Sequence, residues 1–176
     1  VTAITENKPN WKVSLDKLGL ENINLLMNNF NSAPTKGLDF NRLAIRNLDF
    51  SVQDIQYSAS STKAIITHLS AVEKSGFEIK ELKADLVYDS THAEIANLNF
   101  QTGNSIFTKY VSLRYPNIAS LSSNIAEAAI NADLPNVKIG LQDVLYFAPD
   151  LIKNPSLNRN KNEKINLSAK VNGKVK

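Results

Sequence analysis

Cysteine is absent from the 176 residues, which excludes disulfides, thiolate metal sites and a cysteine nucleophile. Histidine occurs twice, at His68 and His92, in neither HxH nor HExxH spacing, so a histidine-built metal or catalytic centre is not expected. Aromatic residues make up 7% of the chain, too few for a base-stacking platform. The net charge of +3 comes from mixed signs with no Lys/Arg block, and nucleic acid is not an expected partner. No run approaches the roughly 18 apolar residues that would span a bilayer. The first ten residues, VTAITENKPN, lack the basic start and apolar core of a signal peptide. There is no GxSxG elbow and no glycine-rich phosphate cradle.

What the chain does contain is alternation. In Phe77–Phe100, FEIKELKADLVYDSTHAEIANLNF, the apolar positions Leu82, Ala84, Leu86 and Tyr88 recur at every second residue. Ala93 and Ile95, then Leu98 and Phe100, repeat the pattern after a turn at Asp89–His92. Period two with β-branched and aromatic residues predicts two strands, each with one dry and one wet face.

A second pattern overlays the first. Apolar residues at p, p+2, p+5 and p+7 occur in LGLENINL (18–25), FSVQDIQY (50–57), AIITHLSA (64–71), FEIKELKA (77–84) and AEIANLNF (93–100). At 43% apolar residues about five such matches arise by chance, so the number alone decides little. Three of the five also carry non-apolar residues at every other position, which chance supplies less readily. Each step of three inserts one residue, which a β-bulge absorbs while the same face stays dry. The uneven starts exclude a solenoid of fixed period.

Along the chain, residues 1–10 are expected to be a disordered lead-in. Strands are expected around Trp11–Leu15 and, in preference to a helix, through 18–30. Further strands are expected over 38–58, 63–71, 77–88, 93–100, 105–115 and 126–134, the last closed by a turn at Asp133-Leu134-Pro135-Asn136. A short strand at 137–141, a helix over 141–153 limited by Pro149, a mobile polar loop at 154–164 and a strand from Ile165 to Val171 complete the reading. Residues 118–124 read as irregular. The fold class is therefore all-β, with one short helix near 141–153. A single helix cannot cover a sheet of about eight to ten strands, which leaves a sandwich, a barrel or a curved open sheet. The residues alone favour a closed core over an open groove. Asp85 with Asp89, and Asp133 with Asp143, resemble paired carboxylates, but solvated strand faces and turns account for them.

At EKSGFEIKELKADLVYD, IANLNFQTGNSIFT and IGLQDVLYFAPDL the chain resembles the AsmA/TamB-like family of long β-rich envelope proteins from double-membrane bacteria. The resemblance spans roughly residues 38–173 and is clearest at 73–108 and 139–151. It implies an interior periplasmic segment of a longer protein, one anchored to the inner membrane elsewhere. It implies a curved antiparallel sheet, groove-like or partly closed. It further implies a hydrophobic conduit or scaffold serving phospholipid transport or outer-membrane protein assembly, with an outer-membrane barrel as partner of the full-length protein. The lipid-facing candidates are Phe77, Ile79, Leu82, Leu86, Tyr88, Ile95, Leu98 and Phe100. No cofactor, metal or catalytic residue is expected. The alternative expectation is a self-contained β-sandwich or barrel binding a protein or glycan through its loops.

Overall fold

The computed structural model describes residues 11–123 and 125–174, so the lead-in expected at 1–10 lies outside the described residues. Eight strands form one antiparallel sheet in sequence order: β1 (Lys12–Leu26), β2 (Ala44–Ser58), β3 (Ser61–Glu73), β4 (Glu78–Asp89), β5 (His92–Thr102), β6 (Ile106–Arg114), β7 (Ala129–Gly140) and β8 (Lys164–Lys174). Among the described residues β1 and β8 are the two end strands and do not pair with each other, so the sheet does not close into a barrel. Three short helices, α1 (Ile118–Ser123), α2 (Leu141–Phe147) and α3 (Pro155–Arg159), and two 3₁₀ turns occupy the connections.

The register shows why alternation produces a two-faced sheet. One unbroken row of cross-strand partners runs Val13, Tyr57, Thr62, Tyr88, Ala93, Leu113, Ile130 and Gly173. The adjacent row runs Ser14, Gln56, Lys63, Val87, Glu94, Ser112, Asn131 and Asn172. Residues directly opposite share a face and successive residues alternate. The first row is therefore apolar apart from Thr62 and Gly173, and the second is polar apart from Val87.

The steps of three are bulges. Asn22, Asn47 and Asp54 at φ 51°, Asn97 at 49° and Asn136 at 58° each sit inside one such step. The steps are Leu20 to Ile23, Ile45 to Leu48, Val52 to Ile55, Ile95 to Leu98 and Leu134 to Val137. Asn and Asp enter the left-handed region most readily among residues with a Cβ. The extra residue is spent there, and the apolar residue after it returns to the same face. AIITHLSA and FEIKELKA solve the problem differently. Between Ile66↔Ala84 and Ala71↔Ile79 the two strands form no ladder pair, and both steps of three, Ile66 to Leu69 and Ile79 to Leu82, fall in this gap, offset toward opposite ends of it. Across this gap, on the polar face, His68 Nδ1 lies 2.9 Å from Glu81 Oε1.

Several local expectations change. β1 ends at Leu26 and β2 begins at Ala44, so 27–30 and 38–43 are not strand, and there are three short helices among the described residues where one was expected. Asp133–Asn136 is not a turn: β7 runs continuously from Ala129 to Gly140, because Asn136 takes positive φ and Pro135 falls at the register shift, where no ladder bond is required of it. The loop expected at 154–164 contains α3, since Asn154 caps it by accepting from the Ser156 and Leu157 amides at 2.9 and 3.3 Å. Residues 118–123 form α1 rather than irregular chain. The closed core favoured by the residues alone is absent among the described residues. Strands pack to any extent only on their sequence neighbours, and no second layer lies across the middle of the apolar face.

Candidate functional site

The feature that stands apart from an ordinary small domain is the uncovered apolar face. The chain exposes 12129 Å², against about 8,500 Å² for a compact monomer of this size. The excess is larger than thirteen fully solvated residues could add, about 2,100 Å², so the residues outside the description do not account for it. Leu18 (41% exposed), Leu20 (38%), Tyr88 (42%), Ile95 (36%) and Leu167 (37%) lie on this face. At its centre the small residues Ala84 and Ala132, with Val52 and Val137, are buried by their neighbours. Strands of 9–15 residues make the face roughly 30–50 Å long, and eight strands make it about 34 Å across. Soluble monomers seldom leave contiguous apolar patches beyond a few hundred Å².

Both ends of the face are partly closed, by different chemistry. At one end α2 lies over it: Val144 and Phe147 meet Phe100, Phe107 and Ile139 around a small cleft of about 110 Å³. Phe77, in the turn before β4, packs edge-on against Tyr146 and Phe147, with ring centroids at 5.5 and 5.3 Å. A polar latch holds α2 in place. Asp143 is buried and accepts from Thr102 Oγ1, from Ser105 Oγ at 2.5 Å and from Asn104 Nδ2 at 3.2 Å. The β1–β2 connection joins on through Leu38 N–H, which donates to the Tyr146 carbonyl at 2.8 Å. Its own shape comes from Asp39, whose carboxyl is held below the usual range chiefly by the Thr35 amide.

At the other end the connection carrying α1 crosses from β6 toward β2. Ile118 lines a cleft with Tyr57 and Tyr88. Tyr115 anchors it: its amide donates to Thr91 O and its hydroxyl to Asp89 O, both at 2.9 Å. Burial pushes the Tyr115 hydroxyl pKa up.

The polar face carries ion pairs and hydrogen-bonded carboxylates. Lys109 and Lys170 converge on Asp133, whose carboxyl is held low first by the Lys109 hydrogen bond. Asn97 Nδ2 donates to Asp85 at 2.6 Å, Tyr110 Oη to Glu94 at 3.1 Å, and Lys83 lies 3.4 Å from Glu81. His92 lies 3.6 Å from Glu94. No three His, Asp or Glu side chains among the described residues are grouped to hold a metal ion. Among the same residues no helix is long and apolar enough to cross a membrane.

Seven of the eight sequence-chosen residues lie on the apolar face of the strands, and six of them, all but Phe100, are away from the cleft under α2. Tyr88 and Ile95 are exposed there, and Ile79, Leu82, Leu86, Leu98 and Phe100 are half-buried. Phe77 does not belong to the open part. It is 8% exposed because α2 folds back onto it, a contact between residues some seventy positions apart. Comparison with protein-family models, with curated proteins and with solved structures finds no match.

The latch escapes a reading of the residues. Asp133 and Asp143 do not form a carboxylate pair, and Asp143 is no solvated turn residue: its partners Thr102, Asn104 and Ser105 come from the β5–β6 turn. The one signal in the sequence is that QTGNS offers three short polar side chains in a turn, more than the turn itself needs.

Proposed function

We propose that this chain is a segment of an envelope protein whose open apolar face accommodates lipid acyl chains, acting as a hydrophobic conduit or scaffold in the periplasm. The observation that carries the reading is the one-sided, uncovered apolar face running through all eight strands. The resemblance to AsmA/TamB-like proteins supplies the biological setting: phospholipid movement or outer-membrane protein assembly, with an outer-membrane barrel engaged by the full-length protein. The dimensions suit the task. An acyl tail occupies about half of a 30 Å hydrocarbon core, so the face is long enough for one to two tails end to end. Burial at about 25 cal/mol per Å² lets a few hundred Å² hold a tail by several kcal/mol without directional contacts. Adsorption of this kind needs no catalytic group.

The test is lipid extraction and native mass spectrometry of the purified chain, with a photo-crosslinker placed at Leu86 or Leu98 in cells. Lipid adducts at these positions, and none at Val87 on the opposite face, are the expected result. Absence of co-purified lipid together with crosslinks to protein alone would sink the reading.

A further inference from the structure

We propose that the open face holds an ester-linked lipid in one orientation, with its ester carbonyls at Tyr57 and Tyr88 and the end of its acyl chain in the cleft under α2. The proposal deepens the lipid reading above and rests on it. Along the strands the two ends of the face differ in chemistry. Tyr57, Thr62 and Tyr88 are cross-strand partners in the row nearest α1, and Ile118 completes a cleft of about 170 Å³ beside them. Toward the other end Leu82, Phe100 and Phe107 are partners in a row that leads under α2, where Ile139, Val144 and Phe147 close the smaller cleft. The strands concerned, β2 to β7, are all inner strands, so neither end depends on what lies beyond β1 or β8.

The hydroxyls set the direction. Tyr57 and Tyr88 are 50% and 42% exposed, and neither hydroxyl bonds to another described residue, unlike those of Tyr110 and Tyr115. Two donors therefore stand at the border of an apolar face, the place tyrosine takes where hydrocarbon meets polar groups. Under α2 the polar groups are already engaged. The Thr102 and Ser105 hydroxyls donate to Asp143, and Ser105 Oγ also accepts from the Gly140 amide. An ester or glycerol group placed there would give up its hydrogen bonds to water without replacement. A peptide would suffer the same loss at its backbone amides, so the occupant that suits this cleft is a hydrocarbon chain.

Length and charge agree with this placement. From Tyr88 to Leu82 along β4 is about 20 Å, at about 3.3 Å per residue. An acyl tail is about 15 Å long in a fluid bilayer and longer when stretched on a surface, so one anchored at the tyrosines ends at the phenylalanines. No Lys or Arg among the described residues lines the tyrosine cleft, and Asp89 does. The phosphate therefore stays outside in water, and anionic and zwitterionic headgroups are expected to bind alike.

The test uses the full chain with phosphatidylcholine or phosphatidylglycerol carrying a nitroxide on the fifth or the sixteenth carbon of one acyl chain. Methyl NMR signals report the line broadening. The sixteenth-carbon label is expected to broaden Ile139 and Val144 more than Ala93 and Leu113, which share the tyrosine row, and the fifth-carbon label the reverse. Tyr57→Phe with Tyr88→Phe is expected to weaken binding about two- to tenfold per hydroxyl and to even out the two patterns. The melting temperature should hold, because both rings remain and neither hydroxyl is bonded to a described residue. Broadening of both ends alike by either label, or the reversed pattern, overturns the orientation and leaves the lipid reading standing. So does an unchanged affinity and pattern in the double variant. No broadening at any site with either label overturns both.

Discussion

Ser105 Oγ donates to Asp143 Oδ2 at 2.5 Å and accepts from the Gly140 amide at 3.0 Å, so one hydroxyl ties the end of β7 to the helix that follows it. Both side chains are buried. Asp143→Ala would leave the Thr102 and Ser105 hydroxyls and the Asn104 amide without their shared acceptor. A loss of about 2–4 kcal/mol in urea unfolding is expected, with proteolytic cleavage appearing between residues 141 and 163. Ser105→Ala should cost less, about 1–2 kcal/mol, since Thr102 and Asn104 remain on the carboxylate.

Two close approaches hold the same end of the sheet. A Cβ at Gly140 would lie 2.3 Å from Asn104 Cβ, and one at Gly37, itself at φ +76°, would lie 2.4 Å from the Tyr146 carbonyl oxygen. Gly140→Ala and Gly37→Ala are each expected to cost about 1–3 kcal/mol and to lower the melting temperature. Gly173→Ala, where nothing lies within 4 Å, should be nearly silent in the same assay.

Asn97 allows a direct test of the bulges. Its φ of 49° sits in the step from Ile95 to Leu98. Asn97→Val is expected to destabilise by about 1–2 kcal/mol, because a β-branched residue resists the left-handed region. Asn97→Gly removes that steric conflict and gives up the hydrogen bond to Asp85, so it should fall between wild type and Asn97→Val. Equilibrium denaturation of the three proteins gives the order.

Glu73 predicts a pH dependence. Burial raises its pKa, but the hydrogen bonds it accepts, among them those from the Ser75 and Ala44 amides at 2.7 and 3.1 Å, outweigh this and hold it below its ordinary 4.5. A depressed carboxylate contributes stability that is present above the unfolded pKa and is lost as pH falls through the folded one. The contribution is therefore intact at neutral pH and disappears as pH drops below 4.5. Glu73→Gln should flatten that part of the stability-versus-pH curve, read by denaturant titration at stepped pH.

The open face should bind a hydrophobic dye in the native state. Ile95→Glu and Leu167→Glu place charge on exposed positions of that face, so dye fluorescence is expected to fall while circular dichroism stays unchanged. Val52→Glu, at a position 4% exposed, is expected to unfold the chain instead.

By itself the sequence determined the strands and their faces, because period two maps directly onto the two sides of a pleated strand. It also marked the steps of three as places for an extra residue, five of which hold an Asn or Asp at positive φ in the structure. It led astray where a local signal was outvoted. Asp133-Leu134-Pro135-Asn136 has turn chemistry, yet β6 and β8 hold it in the sheet on either side. Asn154 and Pro155 start a helix within a stretch polar enough to pass for loop. Tertiary structure alone decided that the face is left open. A dry strand face reads the same whether a second sheet, a helix or nothing lies over Leu82, Leu86, Ile95 and Leu98. Whether it is covered depends on where β1 and β8 end up, and on how far α1 and α2 reach across. Phe77 makes the same point in reverse: it shares the spacing of the open-face residues, and only the return of α2, latched through Asp143 and Ser105, buries it.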